Sequence, residues 1–323
     1  MFKQSEPRPV LIDCDPGHDD AMAILLACGN PAVDLIGVTT VFGNTTVDNT
    51  SQNALDVLSL IGRSDVPVVR GSAGPLRGEA VLGEYVHGTS GLDGPDIPRS
   101  NVQPTSVVNV AAWMHEKIMR SDQPVSLAMI GPATNVASLL EAHPDVISNL
   151  REIVFMGGST ERGNHTPYAE FNTYADPEAL DLILKTDVQI RMIGLNLTHQ
   201  ALVTPEVVQE IKDRGGKLGE VVSEWMGFFG ESYESVWKFD SPPLHDPCTI
   251  ASIIEPGVCE WQSAPISVEL EGRWTRGATS VDLDHRFSED LPLIEVATKL
   301  NVPKYWEYIV GAVELLSSNM KMD

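Results

Sequence analysis

Cysteine, basic side chains and long hydrophobic runs are all scarce in this sequence of 323 residues. The four cysteines form no CxxC pair, which argues against a disulfide framework or a cysteine-rich zinc site and indicates a reducing compartment. No apolar run approaches the roughly 20 residues that span a bilayer. The polar N-terminal stretch lacks the hydrophobic segment of a secretory signal. We therefore expect a cytoplasmic protein with no membrane partner.

Positive charge is the other deficit. The chain has 22 Lys and Arg against 45 Asp and Glu, a net charge of −23. Such a surface repels phosphate backbones and anionic lipids, which argues against a nucleic-acid partner. It also disfavours heavily phosphorylated substrates, because no Lys/Arg cluster appears in the sequence. We expect a small ligand that is neutral or held with the help of a metal ion.

Strand and helix patterns alternate along most of the chain. Apolar, β-branched segments at residues 9–12, 35–42, 66–69, 125–130, 153–156 and 188–195 predict strands, and amphipathic or buried helices lie between them. Helices are predicted over residues 205–213, 219–237 and 304–317. This order predicts one α/β domain over residues 1–323, an open, mostly parallel sheet with helices on both faces. Residues 264–272 and 277–282 predict a small additional β-hairpin.

An aspartate cluster directly follows the first predicted strand. Asp13, Asp15, Asp19 and Asp20 lie within eight residues, and packed together they would repel one another unless a cation neutralised them. Ca²⁺ and Mg²⁺ both favour carboxylate oxygens. Any single aspartate here is equally well explained as a helix cap, but all four together favour a metal site. A water on such a cation, next to Asp15, is a ready nucleophile.

Further polar residues follow other predicted strands, where parallel sheets bind their ligands. His245 titrates near neutral pH and is able to protonate a leaving group. Its neighbour Asp246 is a second metal ligand, an orienting group for the histidine, or simply a helix cap. Glu170 and Asn172 are expected in an irregular loop. The remaining candidates are Asn44, after a strand that ends at Gly43, and His87, expected to be exposed in a Gly-rich loop over residues 71–98 that can close over a ligand.

These motifs together resemble the nucleoside hydrolase family, of the inosine–uridine-preferring type, over nearly the whole chain. The most specific is Asp13-Cys14-Asp15-Pro16-Gly17-x-Asp19-Asp20-Ala21. The others are Thr39-Thr40-Val41-x-Gly43-Asn44, Thr134-Asn135, Met156-Gly157-Gly158, Glu170-Phe171-Asn172, Asp176-Pro177-Glu178-Ala179, Leu197-Thr198-His199-Gln200-Ala201 and His245-Asp246-Pro247. The resemblance implies hydrolysis of the N-glycosidic bond of purine or pyrimidine ribonucleosides to ribose and free base, in nucleoside salvage or catabolism.

The resemblance also implies the site residues. A calcium-bound water would be activated by Asp15, and His245 would be the general acid. Calcium would be held by Asp15, Asp20, Asp246 and the carbonyl of Ile130, with Asp13 in support. Substrate would be bound by Asp19, Asn44, His87, Met156, Asn164, Glu170, Phe171, Asn172, Tyr233 and Trp237, with Phe239 beside the base. Members of the family are homodimers or homotetramers, so the same is expected here.

Two other functions compete with this interpretation. A magnesium-dependent phosphohydrolase of the haloacid dehalogenase type also places Asp-x-Asp after its first strand, but the downstream acidic pair that it needs is missing. A calcium- or nucleoside-binding protein with an inactive site would lack the base or the acid, whereas Asp15 and His245 are both present. The sequence therefore favours the hydrolase.

Overall fold

The computed structural model describes residues 6–286 and 291–320, so the two ends of the domain predicted over residues 1–323 lie outside the described part. The strands are β1 (Arg8–Cys14), β2 (Val33–Thr40), β3 (Val68–Arg70), β4 (Val125–Met129), β5 (Leu150–Met156), β6 (Ile190–Ile193), β7 (Cys259–Val268), β8 (Thr279–Val281) and β9 (Leu293–Leu300). The helices are α1 (His18–Gly29), α2 (Val47–Leu60), α3 (Glu84–His87), α4 (Val110–Met119), α5 (Thr134–Ala142), α6 (Phe171–Ala175), α7 (Pro177–Leu184), α8 (Leu195–Thr198), α9 (Pro205–Trp237), α10 (Pro247–Ile254) and α11 (Val302–Asn319).

The described strands form one nine-stranded sheet in the order β3-β2-β1-β4-β5-β6-β9-β7-β8. Every neighbouring pair from β3 to β9 is parallel, whereas β7 runs antiparallel to both β9 and β8. One apolar core lies on each face, the first built mainly with α1, α9, α10 and α11, the second with α4, α5 and α7. The predicted fold class, an α/β domain with a mostly parallel sheet covered on both faces, is therefore confirmed.

The predicted hairpin is present but does not stand apart from the sheet. Val268 of β7 pairs with Thr279 of β8, as expected. However, β7 begins at Cys259 and pairs along its first half with β9, so the hairpin extends the edge of the main sheet. No strand was predicted over β9, because its regular pairing partners are distant in sequence and its own pattern is only half apolar.

The two helices predicted over residues 205–213 and 219–237 form one element, α9, that is broken at Gly216. This glycine has φ 52° and ψ −137°, a conformation that side-chain-bearing residues rarely adopt. The second half of α9 therefore leaves the first at an angle and carries Tyr233 and Trp237 toward the carboxyl edge of the sheet.

Among the described residues, no helix combines the length and apolarity needed to cross a bilayer.

Helices α1 and α11 pack against each other with little space between their backbones. Gly29, the last residue of α1, is buried, and a Cβ added there would lie 2.7 Å from both the Cβ and the carbonyl oxygen of Ala312 in α11. The neighbouring Gly311 faces the other way, since a Cβ there would meet no atom within 4 Å.

We predict that Gly29→Ala lowers the free energy of unfolding by about 1–3 kcal/mol, because the added methyl group overpacks this contact. Gly311→Ala is the matched control, and it should instead raise the free energy by about 0.5–1 kcal/mol, since alanine is the better helix former. Urea unfolding followed by circular dichroism measures both. Equal effects of the two substitutions would contradict the close approach of the helices at Gly29.

Candidate active site

A cavity lies at the carboxyl ends of β1, β2, β4 and β5. The strand order reverses between β1 and β4, so the loops that leave them diverge and open a crevice there. Residues expected to act in catalysis or to bind substrate all line this cavity: Asp15, Asp19, Asn44, His87, Met156, Asn164, Glu170, Phe171, Asn172, Tyr233, Trp237 and His245. Ile130 and Asp246 also line it, and Asp20 is fully buried beside them.

Three carboxylates converge at the base of this cavity. Asp19 and Asp20 occupy the first turn of α1, and Asp246 directly precedes α10. One oxygen of each lies within 4.8 Å of the others, and all three residues are buried. Asp20 also accepts hydrogen bonds from the backbone N–H groups of Asp15 (3.1 Å) and Gly17 (3.0 Å), which fixes the turn between β1 and α1.

The cluster is electrostatically unfavourable without a cation. Burial raises the pKa of Asp19 to about 8, and repulsion from Asp20 contributes to the increase. Burial and repulsion from Asp19 and Asp20 raise the pKa of Asp246 well above its usual range. Among the described residues that line the cavity, none is Lys or Arg. The grouped carboxylate oxygens therefore fit a hard divalent cation, which would supply the missing positive charge.

Asp15 is held rigidly at the end of β1. Its Oδ2 accepts a hydrogen bond from the backbone N–H of Asn44 (2.7 Å), and the Asn44 amide nitrogen donates to the Asp15 carbonyl (3.1 Å) and to Asp20 (3.0 Å). A Cβ at Gly43 would lie 2.0 Å from Asp15 Oδ2, and one at Gly131 would lie 2.7 Å from Oδ1. The glycines at 43 and 131 therefore let the backbone approach Asp15 closely.

Asp13 lies beneath this site, fully buried at the end of β1. It accepts hydrogen bonds from the Thr39 hydroxyl (2.5 Å) and the Asn135 amide (2.8 Å) through one oxygen. Burial raises its pKa to about 7. Both partners belong to the motifs that were singled out from the sequence, and they connect the ends of β1 and β2 to the start of α5.

The segment expected to be an irregular loop around Glu170 is instead the start of a helix. Glu170 caps α6: its carboxylate accepts backbone N–H bonds from Gly158 (2.9 Å), Asn172 (2.8 Å) and Thr173 (3.0 Å). The loop prediction was wrong because α6 is a single turn, too short to show a periodic pattern. The Asn172 amide nitrogen donates to the carbonyls of Ile130 (2.8 Å) and Met156 (3.1 Å), so its Oδ1 remains available to a ligand.

His245 lies at the opposite side of the cavity, between two hydroxyl groups. Its Nδ1 is 2.7 Å from Thr198 Oγ1, and its Nε2 is 2.7 Å from the hydroxyl of Tyr233. Burial lowers the pKa of His245 to about 3, so the ring is neutral at physiological pH. The rings of Tyr233 and Trp237 pack at a tilt with centroids 4.5 Å apart, and the Trp237 indole N–H donates to the Asn164 carbonyl (3.1 Å).

His87 is buried, contrary to the exposed position expected from its Gly-rich loop. It is 7% exposed because α3 folds down onto the second half of α9. Sequence reasoning did not identify its neighbour His18, which is buried at the start of α1. His18 Nδ1 is 3.2 Å from His87 Nδ1, His18 Nε2 is 2.7 Å from the Asp93 carbonyl, and the His18 ring stacks on Phe228.

Tyr85, another cavity residue that the sequence analysis did not select, has its hydroxyl 3.2 Å from His165 Nδ1. In the sequence, only its position two residues before His87 in the Gly-rich loop could have indicated that Tyr85 reaches the cavity. The contact that brings it to the cavity joins segments distant in sequence. Tyr85 therefore adds a third aromatic ring, with Tyr233 and Trp237, to the side of the cavity opposite the carboxylates.

Comparison with known proteins agrees with this architecture. The family model described as inosine-uridine preferring nucleoside hydrolase matches residues 10–307. A curated relative from Shewanella sp. (strain ANA-3), named pyrimidine-specific ribonucleoside hydrolase RihA, is 43% identical over 276 residues, which cover 85% of this chain and 86% of that protein.

Two solved structures are similar to the whole fold. A plant nucleoside hydrolase has a TM-score of 0.89 at 29% identity, with 95% of this chain and 99% of that chain covered. A purine-preferring ribonucleoside hydrolase from Gardnerella vaginalis also has a TM-score of 0.89, at 27% identity, with 96% and 99% covered.

The parallel sheet and the carboxylate cluster at its carboxyl edge place this protein among the enzymes that hydrolyse nucleosides. The chain belongs to the inosine–uridine-preferring nucleoside hydrolase family, which is metal-dependent, and it hydrolyses ribonucleosides to ribose and free base. The phosphohydrolase alternative finds no support in these comparisons.

We predict that His18→Phe lowers kcat/KM for a good nucleoside substrate by about three- to tenfold. Phenylalanine keeps the ring stacking and the backbone N–H bond to His87, but the side-chain hydrogen bonds to His87 and to the Asp93 carbonyl are lost, and each is worth about 0.5–1.5 kcal/mol. Initial-rate measurements of base release check this, with His285→Ala, an exposed histidine away from the cavity, as the control. An unchanged kcat/KM in His18→Phe would show that His87 does not depend on His18.

Proposed function

We propose that the metal ion of this enzyme is calcium and that Asp15, Asp20, Asp246 and the Ile130 carbonyl hold it. The convergence of buried carboxylates without a basic partner carries this proposal. All the donors are oxygen atoms, which suits a hard cation. The four residues would supply at least four of the six to eight ligands of calcium, and water and substrate hydroxyls would supply the rest. The Ile130 carbonyl already accepts from Asn172, and its second lone pair is free for the ion.

Asp19 is a further candidate ligand. Its carboxylate belongs to the same cluster as those of Asp20 and Asp246, and it also faces the cavity. We propose that Asp19 contacts both the ion and a ribose hydroxyl, because one carboxylate has enough lone pairs for both.

When bound, calcium would offset part of the negative charge of the cluster and would make a coordinated water more acidic. Asp15 accepts the proton of the water that attacks C1′ of the ribose. Its Oδ2 is fixed by the N–H of Asn44, which leaves the rest of the carboxylate for the water. Burial raises the pKa of Asp15, and a cation held by the same carboxylate would lower it again, which would keep Asp15 ionised and able to accept the proton.

His245 and Tyr233 together protonate the departing base. A neutral imidazole is a poor acid by itself, but here it shares a short hydrogen bond with the Tyr233 hydroxyl and another with Thr198. When His245 gives its proton to the base, the hydrogen-bonded Tyr233 hydroxyl is placed to replace that proton. His245 is thus the general acid of the reaction through its pairing with Tyr233.

The ribose end of the cavity is richer in polar groups than the base end. Glu170 is held by three backbone N–H groups, and Asn172 presents its Oδ1 from the first turn of α6. Asn164 and Asp19 line the same part. Buried groups that hydrogen-bond a substrate hydroxyl strongly disfavour an analogue without it, which supports selectivity for ribose over deoxyribose.

We further propose a preference for pyrimidine bases. The relatives at 40–44% identity are named pyrimidine-specific, whereas the purine-preferring structure shares only 27% identity with this chain. The aromatic rings of Tyr85, Tyr233 and Trp237 narrow the base end of the cavity, which favours the smaller bases.

The assembly into a homodimer or homotetramer and the location in the cytoplasm stay predictions. Light scattering tests the assembly.

Asp15→Asn should reduce kcat for uridine by at least about 100-fold, the lower end of what a general base contributes. The amide has the shape of the carboxylate and still accepts from the Asn44 N–H, so uridine should still bind. Base release is followed by absorbance and binding by calorimetry. Asp122→Asn, a change of the same type in a residue away from the cavity, is the control. Retained turnover in Asp15→Asn would remove this residue from the mechanism.

A nucleoside panel tests the substrate and the metal together. Uridine and cytidine should be cleaved faster than inosine, adenosine and guanosine, and 2′-deoxyuridine much more slowly than uridine. Chelation should abolish release of ribose in every case, and calcium should restore it better than magnesium. Equal rates for uridine and 2′-deoxyuridine would contradict the hydroxyl-binding assignment, and equal rates for uridine and inosine would contradict the pyrimidine preference.

A further inference from the structure

Two histidines and an aspartate meet on the surface, away from the active site. His115 lies in α4, His143 directly follows α5, and Asp145 lies in the 3-10 turn Pro144–Asn149. One potential ligand atom of each lies within 4.8 Å of the others. His115 Nε2 is 3.0 Å from Asp145 Oδ2, and the two imidazole rings are stacked with centroids 4.4 Å apart.

This cluster lies at the opposite end of the sheet from the catalytic cavity. Helix α5 begins shortly after Ile130, at the carboxyl end of β4, and runs back to the amino end of β5. His143, at the far end of α5, is therefore separated from the catalytic carboxylates by the length of that helix. An ion bound here would touch none of the residues that line the cavity.

The donors differ in chemistry from those of the catalytic cluster. Two imidazoles and one carboxylate are ligands of zinc and of other borderline divalent transition metals, whereas calcium prefers oxygen alone. In the part of the chain that the structure describes, no group hydrogen-bonds the ring of His143, so its nitrogens are available.

The surroundings allow an ion to enter and to be held. The side chains of His115 and Asp145 are 26% and 65% exposed, so the site opens to solvent, and the histidines are backed by packed helices. The turn is already anchored to α4, since the Asn149 amide donates to the carbonyls of Ile118 and Ser121. The backbone positions of the ligands are therefore set before the ion arrives, which limits the entropic cost of binding, and one imidazole has to turn out of the stack for both to face the ion.

We propose that His115, His143 and Asp145 bind a borderline divalent transition metal ion, zinc foremost, with water completing the coordination. The ion joins α4, the end of α5 and the turn before β5. Its role is structural, since it lies outside the catalytic cavity. This proposal is independent of the metal and the mechanism assigned to the catalytic site.

Calorimetric titration with Zn²⁺ tests the proposal on the full-length enzyme, with calcium in excess so that the catalytic carboxylates are occupied. The wild-type protein should bind one zinc ion per chain at this site. His143→Phe, which keeps the ring stack on His115 but removes a ligand, should weaken this binding by at least about 10-fold, the loss caused by removing even a supporting partner of a ligand. Asp145→Asn should weaken it similarly.

His285→Ala, which removes an exposed histidine elsewhere, should bind zinc as the wild-type protein does. Circular dichroism of each variant shows that it is folded, and hydrolysis of uridine, unchanged at the zinc concentration that fills the site, shows that the catalytic ion has not been displaced. Absence of zinc binding would overturn the proposal. Equal affinity in the wild-type protein and His143→Phe would overturn it too, because the zinc would then be held elsewhere.

Discussion

Repulsion among buried carboxylates is the constraint on which this structure depends. Asp19, Asp20 and Asp246 are brought to one point by two helix starts that are far apart in the sequence, and burial makes their negative charge costly. The cost is tolerated because a cation offsets it. The neighbouring backbone is arranged for the same purpose: Gly43 and Gly131 leave space for Asp15 that any side chain would fill. The sheet and the helices that start at its edge hold these like charges close together at the place where a cation would bind.

The sequence predicted the parts of the molecule in which chemistry and local pattern coincide. The strands predicted over residues 9–12, 125–130 and 153–156 coincide with β1, β4 and β5, and the carboxylates after β1 lie at the carboxyl edge, as expected for a parallel sheet. Features made by long-range packing were missed. Strand β9 is specified by its neighbours β6 and β7, and His87 is buried only because α3 folds onto α9. A single sequence holds no record of such contacts.

The two sides of the cavity also differed in how well they could be predicted. Asp15 and Asn44 each follow the end of a strand, so their local sequence reveals them. His18 and Tyr85 reach the site through packing, and the short helix that Glu170 caps is too brief to leave a pattern. The pairing of His245 with Tyr233 joins α9 to the start of α10, which no spacing rule predicts.

The break at Gly216 separates the helical segment assigned to the base from the rest of the molecule, which includes the groups assigned to the sugar. Groups that hold the sugar are attached to the ends of the central strands, where a change disturbs the whole sheet. Tyr233 and Trp237, the rings that we propose face the base, lie in the helical segment after the break. Substitutions in that segment are able to alter which nucleoside is accepted while the machinery of bond cleavage stays intact. A fold built in this way can change its substrate specificity while its reaction stays the same.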